Sequence, residues 1–288
     1  MKKILSTLLT LTMLLTTACA AAGDQRLSGE INVISREDGS GTRGAFIELF
    51  GIEQKNAEGK KIDYTTDDCD ITNSTSVMMT SVAGNDCAIG YISLGSLNDT
   101  VKTLTIDGVQ ASVENIKNGA YKIARPFNIA TRAEVSEAAA DFIAFIMSAE
   151  GQSVIEANGC IAVVENAPAF EGGKVSGKIV IAGSSSVTPV MEKLKEAYEA
   201  LNPSVEIELQ QSDSSSGMTS TRDGVCDIGM ASRELKESEL EAGLVPMTIA
   251  MDGIAVIVSN DNPVDGLTAE QVRDIYMGEI TDWSEVNE

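Results

Sequence analysis

Gly29-Glu30-Ile31-Asn32-Val33-Ile34 runs into Ser35-Arg36-Glu37-Asp38-Gly39-Ser40-Gly41-Thr42, after which Ala45, Phe46, Leu49 and Phe50 recur at helical spacing until Gly51. A short β-type run, a polar loop and a helix stopped by glycine make one strand–loop–helix unit. The pattern returns where Gly177-Lys178-Ile179-Val180-Ile181-Ala182 leads into Gly183-Ser184-Ser185-Ser186-Val187-Thr188. There Pro189 opens a helix carrying Val190, Met191, Leu194, Ala197 and Tyr198 up to Asn202-Pro203. A third unit has the alternating strand Val205 to Leu209, the loop Asp213-Ser214-Ser215-Ser216-Gly217-Met218, and a short helix ended by Gly224. The strand Asp227-Ile228-Gly229-Met230 follows it. Strands alternating with helices predict an α/β fold.

Each loop brings Gly, Ser and Thr to a helix N-terminus, where the first turn's amides lack internal partners and the helix dipole favours negative charge. One such loop alone is more often an N-cap and a turn. Three in one chain favour an anion site. No Gly-x-x-x-x-Gly-Lys-Ser/Thr run is present, the glycine spacing fails the dinucleotide fingerprint, and no serine sits in a Gly-x-Ser-x-Gly elbow. The pattern fits binding better than bond-breaking.

Composition narrows the reading further. The 288 residues carry 43 acidic and 21 basic side chains, a net charge of −22, and no histidine. Nucleic acid is excluded as a partner, because that binding needs dense Lys and Arg. The lack of imidazole removes Ser-His-Asp and Cys-His nucleophiles and His-containing zinc sites. A cysteine zinc site is not expected, since no close Cys-x-x-Cys pair exists, and no cofactor or other metal is expected. At roughly 150 residues per domain the length suggests two lobes.

Lys2-Lys3 precede an apolar run from Ile4 to Leu15 and then Thr16-Thr17-Ala18-Cys19, the organisation of an export signal. The cysteine after a small residue resembles the lipobox of bacterial lipoproteins, although Thr16 stands where that pattern prefers Leu. The resemblance implies a signal peptide at 1–18, lipidation of Cys19, and a tether at 19–28 holding the protein to the cell membrane. The body has no other apolar segment of spanning length. Four cysteines remain: Cys69, Cys87, Cys160 and Cys226. Pairing Cys69 with Cys87 and Cys160 with Cys226 would keep each bond within one lobe; free buried thiols are the alternative.

Ser35-Arg36-Glu37-Asp38-Gly39-Ser40-Gly41-Thr42-Arg43 closely resembles the Arg-x-Asp-Gly-Ser-Gly-Thr signature of the phosphate-binding proteins that serve phosphate ABC transporters. The resemblance continues through Cys87-Ala88-Ile89-Gly90-Tyr91, Ala124-Arg125-Pro126, the run from Phe142 to Gln152, Gly183 to Val187, Asp227 to Arg233, Ala250 to Val258, and Gly278 to Trp283. It implies a two-lobed periplasmic-binding-protein fold of type II, with a hinge and an interlobe cleft. The segment order, however, is rotated. In that family the block ending in Trp leads directly into the Arg-x-Asp-Gly-Ser-Gly-Thr strand, whereas here Trp283 lies near the end and that strand begins at Gly29. The chain is therefore expected to be a circular permutant, its family's usual termini joined through the linker 165–177; a truncated tandem chain is the competing account. One lobe is expected to comprise 29–121 with 263–288, and the other 122–262. Crossing strands near Ile249 to Val258 and Tyr121 to Thr131 would form the hinge.

The same resemblance implies the ligand set. Arg36 would grip an oxyanion with its guanidinium fork, aimed by Asp38. A pair with Glu37 or Asp38 at the surface is its structural alternative. Ser40, Gly41 and Thr42 would donate from one lobe, and Ser185, Ser186 and the Val187 amide, with Ser214 or Ser215, from the other. Where family members place an Asp to accept the phosphate proton, this chain has Ser232, followed by Arg233. The expected function is capture of inorganic phosphate by a monomeric lipoprotein that delivers it to ABC permease subunits, without catalysis. The alternatives are a sensor or surface protein for sulfate or molybdate, and a phosphoester hydrolase.

Overall fold

The computed structural model describes residues 27–287. The expected signal peptide and Cys19 lie outside the described residues. Along the chain come β1 (Asn32–Arg36), α1 (Gly41–Leu49), the hairpin β2 (Glu53–Lys55) and β3 (Lys61–Asp63), β4 (Asp70–Thr72), α2 (Thr75–Ala83) and β5 (Ala88–Ser93). The short β6 (Lys102–Thr103), β7 (Thr105–Ile106) and α3 (Val113–Lys117) lead to β8 (Ala124–Thr131), α4 (Glu137–Ile146), α5 (Ala149–Ala157) and β9 (Ile161–Ala162). The second half holds β10 (Gly177–Ser184), α6 (Thr188–Leu201), β11 (Val205–Ser212), α7 (Ser214–Arg222) and β12 (Ile228–Ala231). It ends with α8 (Glu237–Glu241), β13 (Val245–Val258), β14 (Gly266–Leu267) and α9 (Ala269–Met277). All three anticipated strand–loop–helix units are present.

The main sheet has the order β11-β10-β12-β8-β13-β5-β1-β4. β10 pairs in parallel with β11 and β12, and β1 in parallel with β4 and β5. Between these two parallel halves lie the antiparallel pairs of β8 and β13. Among the described residues two large hydrophobic cores result, with a small third cluster of Ala130, Met218, Ala231, Leu235 and Leu244. One gathers Ile34, Phe46, Tyr91, Val256, Tyr276 and Trp283; the other gathers Phe127, Phe142, Ile181, Met191, Tyr198 and Ile228. Each is a wound α/β lobe.

β13 crosses between the lobes. Its residues Ile249 and Ala250 belong to the second core, while Ile254 to Val258 belong to the first. The first lobe therefore takes up the end of β13, and the boundary expected at 262 moves back to about Gly253. An unbroken apolar strand carries no local sign of such a change. The anticipated crossing strands do run between the cores: Ile123, just before β8, belongs to the first core, and Phe127 and Ile129 of β8 belong to the second.

The segment 281–283 returns to the segment 29–31. Ile31 N–H donates to the Thr281 carbonyl at 2.7 Å and Trp283 N–H to the Gly29 carbonyl at 3.0 Å. Trp283 is fully buried, and its indole N–H donates to the Cys87 carbonyl at 2.9 Å.

All four described cysteines are free, so the free-thiol alternative holds and the pairings Cys69–Cys87 and Cys160–Cys226 are not made. Cys69 precedes β4 and Cys87 precedes β5, and these strands flank β1 on opposite sides. Two strand spacings amount to about 9.5 Å, beyond the roughly 7 Å that a disulfide tolerates between Cα atoms. Cys160 immediately precedes β9, which pairs with β13, whereas Cys226 lies just before β12, with β8 between β12 and β13. Among the described residues no single helix is long and apolar enough to cross a membrane.

Candidate functional site between the lobes

β1 carries Arg36 into the interface between the cores, where its side chain is only 2% exposed. Its Nε and Nη2 donate to the Glu37 carboxylate at 2.8 and 2.7 Å, and Nη2 also donates to Ser185 Oγ of the other lobe at 3.1 Å. Tyr91, on the neighbouring strand β5, fixes the end of β1. Its hydroxyl accepts the Arg36 N–H at 3.2 Å and shares a hydrogen bond with Ser35 Oγ at 3.0 Å. Burial pushes the Tyr91 phenol up to about 12, so it stays neutral and can both donate and accept.

The loop after Arg36 turns into α1 through Ser40, whose Oγ caps the helix by accepting from Arg43 N–H at 3.2 Å. Asp38 does not aim Arg36. It is 98% exposed and accepts from Arg43 at 2.7 Å, while Glu37 takes the Arg36 fork. Asp38 stands at the loop apex, and the Arg43 side chain in the first turn of α1 reaches it. The surface alternative for Arg36 is half right: the Glu37 partner is correct, but the guanidinium is buried.

Thr42 Oγ1 lies 2.8 Å from Ser186 Oγ and 3.2 Å from Ser232 Oγ. Ser184 Oγ donates to Ser232 Oγ at 3.0 Å, and Ser214 Oγ accepts from Ser232 N–H at 3.1 Å. Arg36, Thr42, Ser185, Ser186, Ser214 and Ser232 thus form one buried cluster, although Arg36 and Ser185 are 149 positions apart. Gly41 packs directly on it: a Cβ there would meet Ser214 Oγ at 2.5 Å and Ser232 Oγ at 2.8 Å. Gly39 likewise leaves no space for a Cβ against the Asp213 carboxylate, and its carbonyl accepts the Ser215 N–H at 3.2 Å.

Three candidates take other partners. Val187 holds the N-cap position of α6, but its N–H is used within the turn, donating to the Ser184 carbonyl at 3.1 Å. Ser215 Oγ faces Arg233 and Lys236 at 3.2 and 3.4 Å, so of the Ser214–Ser215 pair the hydroxyl in the cluster is that of Ser214. Arg233 is committed to Glu239 at 2.8 Å.

Two groups escaped the sequence reading. Thr75, the first residue of α2, approaches Ser186 Oγ at 3.2 Å and Ser185 Oγ at 3.4 Å. Its signal was a fourth strand–polar–helix unit, Asp70-Ile71-Thr72-Asn73-Ser74-Thr75, whose strand is too short to stand out. Arg125 and Asp252 pair at the crossing of β8 and β13, 3% and 0% exposed. Nothing local in the sequence links residues so far apart.

The first turns of α1, α2 and α7, and the loop that enters α6, all contribute hydroxyls here, two elements from each lobe. Four helix N-termini directed at one buried hydroxyl cluster, with two guanidiniums beside it, favour an oxyanion. Each guanidinium already has one carboxylate partner, which limits the net positive charge.

The model of the PBP superfamily domain matches residues 22–150 and 168–288. The phosphate-binding protein PstS 2 of Streptococcus agalactiae serotype V is 56% identical over 270 residues, covering 93% of this chain and 92% of that one. A crystal structure of a phosphate ABC transporter phosphate-binding protein from Streptococcus pneumoniae TIGR4 is 45% identical, with a TM-score of 0.70 over 90% of this chain and all of that one. The phosphate-binding protein PstS of Staphylococcus saprophyticus is 35% identical over 124 residues, 41% of this chain and 39% of that one.

Proposed function

We propose, from the premise that this chain belongs to the PBP superfamily and within it to the family of the phosphate-binding proteins PstS, that it captures inorganic phosphate for uptake by an ABC transporter. The observation that carries the reading is the hydroxyl cluster joining Thr42 and Thr75 of one lobe to Ser185 and Ser186 of the other beside the buried Arg36. Phosphate would be bound by Arg36, Ser40, Gly41, Thr42, Thr75, Ser185, Ser186, Ser214 and Ser232. The lobes would close on it about β8 and β13. No covalent step is proposed; the chain acts as a monomer that presents its ligand to permease subunits, tethered outside the cytoplasm by a lipid on Cys19.

The rotated segment order is proposed to be a circular permutation. Its support is the closure of Trp283 onto Gly29, which makes the family's usual continuation a short reconnection. The match to the staphylococcal relative also extends over only about two fifths of either chain. The near-full-length match to the streptococcal relative indicates that the order is shared with it.

Uptake tests the physiological side. A strain lacking the gene should take up less phosphate when phosphate is limiting, and restoring the chain with Cys19→Ala should return it only in part. Unchanged uptake in that strain would count against the proposal.

A further inference from the structure

The buried pair of Arg125 and Asp252 lies outside the expected ligand set, yet it touches it. We infer that Arg125 is a positioning residue, which orients the Thr42 hydroxyl as an outward donor and ties it to the hinge. The inference rests on the oxyanion reading of the cleft.

Arg125 lies on β8 and distributes its donors over three parts of the molecule. Nε donates to the Ser232 carbonyl at 3.2 Å, in the second lobe. Nη1 donates to the Asp252 carboxylate and to the Gly253 carbonyl at 3.2 Å, on the crossing strand β13. Nη2 donates to Thr42 Oγ1 at 3.1 Å, at the start of α1 in the first lobe. Asp252 is itself held by the first lobe, accepting from Ser93 Oγ at 2.7 Å and from Gly95 N–H at 2.9 Å. The Phe127 ring lies under the guanidinium, 4.9 Å from centroid to Cζ.

Polarity follows from chemistry. A guanidinium has no acceptor, so Thr42 Oγ1 must accept from it. The Thr42 proton is then left for the cluster, for Ser186 Oγ at 2.8 Å, Ser232 Oγ at 3.2 Å or an anion seated there. On the other side Ser184 donates to Ser232 Oγ, so the Ser232 proton is also directed into the cluster. With both chains anchored, the cleft presents donors rather than a mixture of donors and acceptors. A lysine at 125 would keep the charge, but its single ammonium cannot span Ser232, Asp252 and Thr42 together.

A double-mutant cycle separates positioning from bulk stabilisation. Phosphate affinity would be measured by calorimetry on the mature chain and on Arg125→Lys, Thr42→Val and the double variant, each with a thermal melt. If Arg125 acts through Thr42, each single change weakens phosphate about tenfold or more, and the double variant is no weaker than the worse single within about threefold. Losses that multiply in the double variant, or an Arg125→Lys protein that melts lower but binds as well as the parent, overturn the inference. Should Arg125→Lys fail to fold, the Arg125→Gln/Asp252→Asn protein replaces it in the same cycle, because it removes both charges together. A parent chain that binds no phosphate sinks the oxyanion reading itself, and is distinguished by the first titration.

Discussion

Replacing Arg36 by alanine removes three contacts: two to the Glu37 carboxylate at 2.8 and 2.7 Å and one to Ser185 Oγ at 3.1 Å. It also leaves Glu37 as an unopposed negative charge where an anion is to sit. Loss of a charge-assisted pair in a dry cleft costs about 2–5 kcal/mol of binding, roughly 30-fold to several-thousand-fold in affinity. The leftover repulsion from Glu37 places the expectation in the upper part of that range. Stability should also fall, by less than the about 3–5 kcal/mol of a fully buried pair that loses one partner, because the Glu37 side chain is 22% exposed and can partly rehydrate. Calorimetric titration with phosphate measures the first quantity and denaturant unfolding the second. Arg36→Ala protein that binds phosphate as tightly as the parent would refute the site assignment, whatever its stability.

Gly39→Ala should displace the Asp213 carboxylate, which caps α7, and break the approach of Gly39 to Ser215 across the cleft. About 1 kcal/mol of stability and about tenfold in phosphate affinity should be lost; unchanged melting and titration curves would contradict the interlobe contact. Tyr91→Phe leaves the buried Arg36 N–H without its acceptor and should cost about 1–3 kcal/mol in urea unfolding, and a neutral effect would mean the hydroxyl does not hold β1. Acid stability depends on carboxylates. Burial alone would raise Glu239, but the Arg233 guanidinium and the Lys236 N–H outweigh it and hold the carboxyl low; Asp63 is likewise raised by burial but lowered further by Thr65 and Arg43. Folded values below the unfolded ones mean that this stability is complete above about pH 4.5 and is lost as pH falls through the folded values. Melting temperature measured from pH 7 to pH 3 should fall more steeply for the parent than for Glu239→Gln; parallel curves would remove Glu239 as a cause.

The parts of the site that were legible in the sequence are those set by local chemistry. A strand that ends in Gly, Ser and Thr before a helix must point that loop off the end of its sheet, and so the loops at Thr42, Ser185 and Ser214 could be found one at a time. Their meeting across the lobes rested on the family resemblance. Arg125 and Asp252 were missed because their function exists only where β8 crosses β13, and Arg125 is linked to Thr42 over 83 positions. The mistaken partner of Arg36 has a similar origin. Glu37 and Asp38 differ by one position, and only the turn geometry decides which carboxylate faces inward. The lobe boundary failed for a different reason: Ile254 to Val258 continue the same apolar strand from one core into the other. That Cys69 and Cys87 stay unpaired follows from β1 lying between β4 and β5, which the order of strands along the chain does not reveal.

The claim that the interlobe hydroxyl cluster is a phosphate site is tested most directly by calorimetric titration of the dialysed, tag-free mature protein with phosphate, sulfate, molybdate and arsenate in turn. With no histidine in the chain, no imidazole titrates near neutrality, so a change in affinity between pH 6 and 8 would report the anion's own protonation. The account predicts one site per chain, binding phosphate with a micromolar or lower Kd and in preference to sulfate. Binding of none of the four anions, or a preference for sulfate, would contradict it.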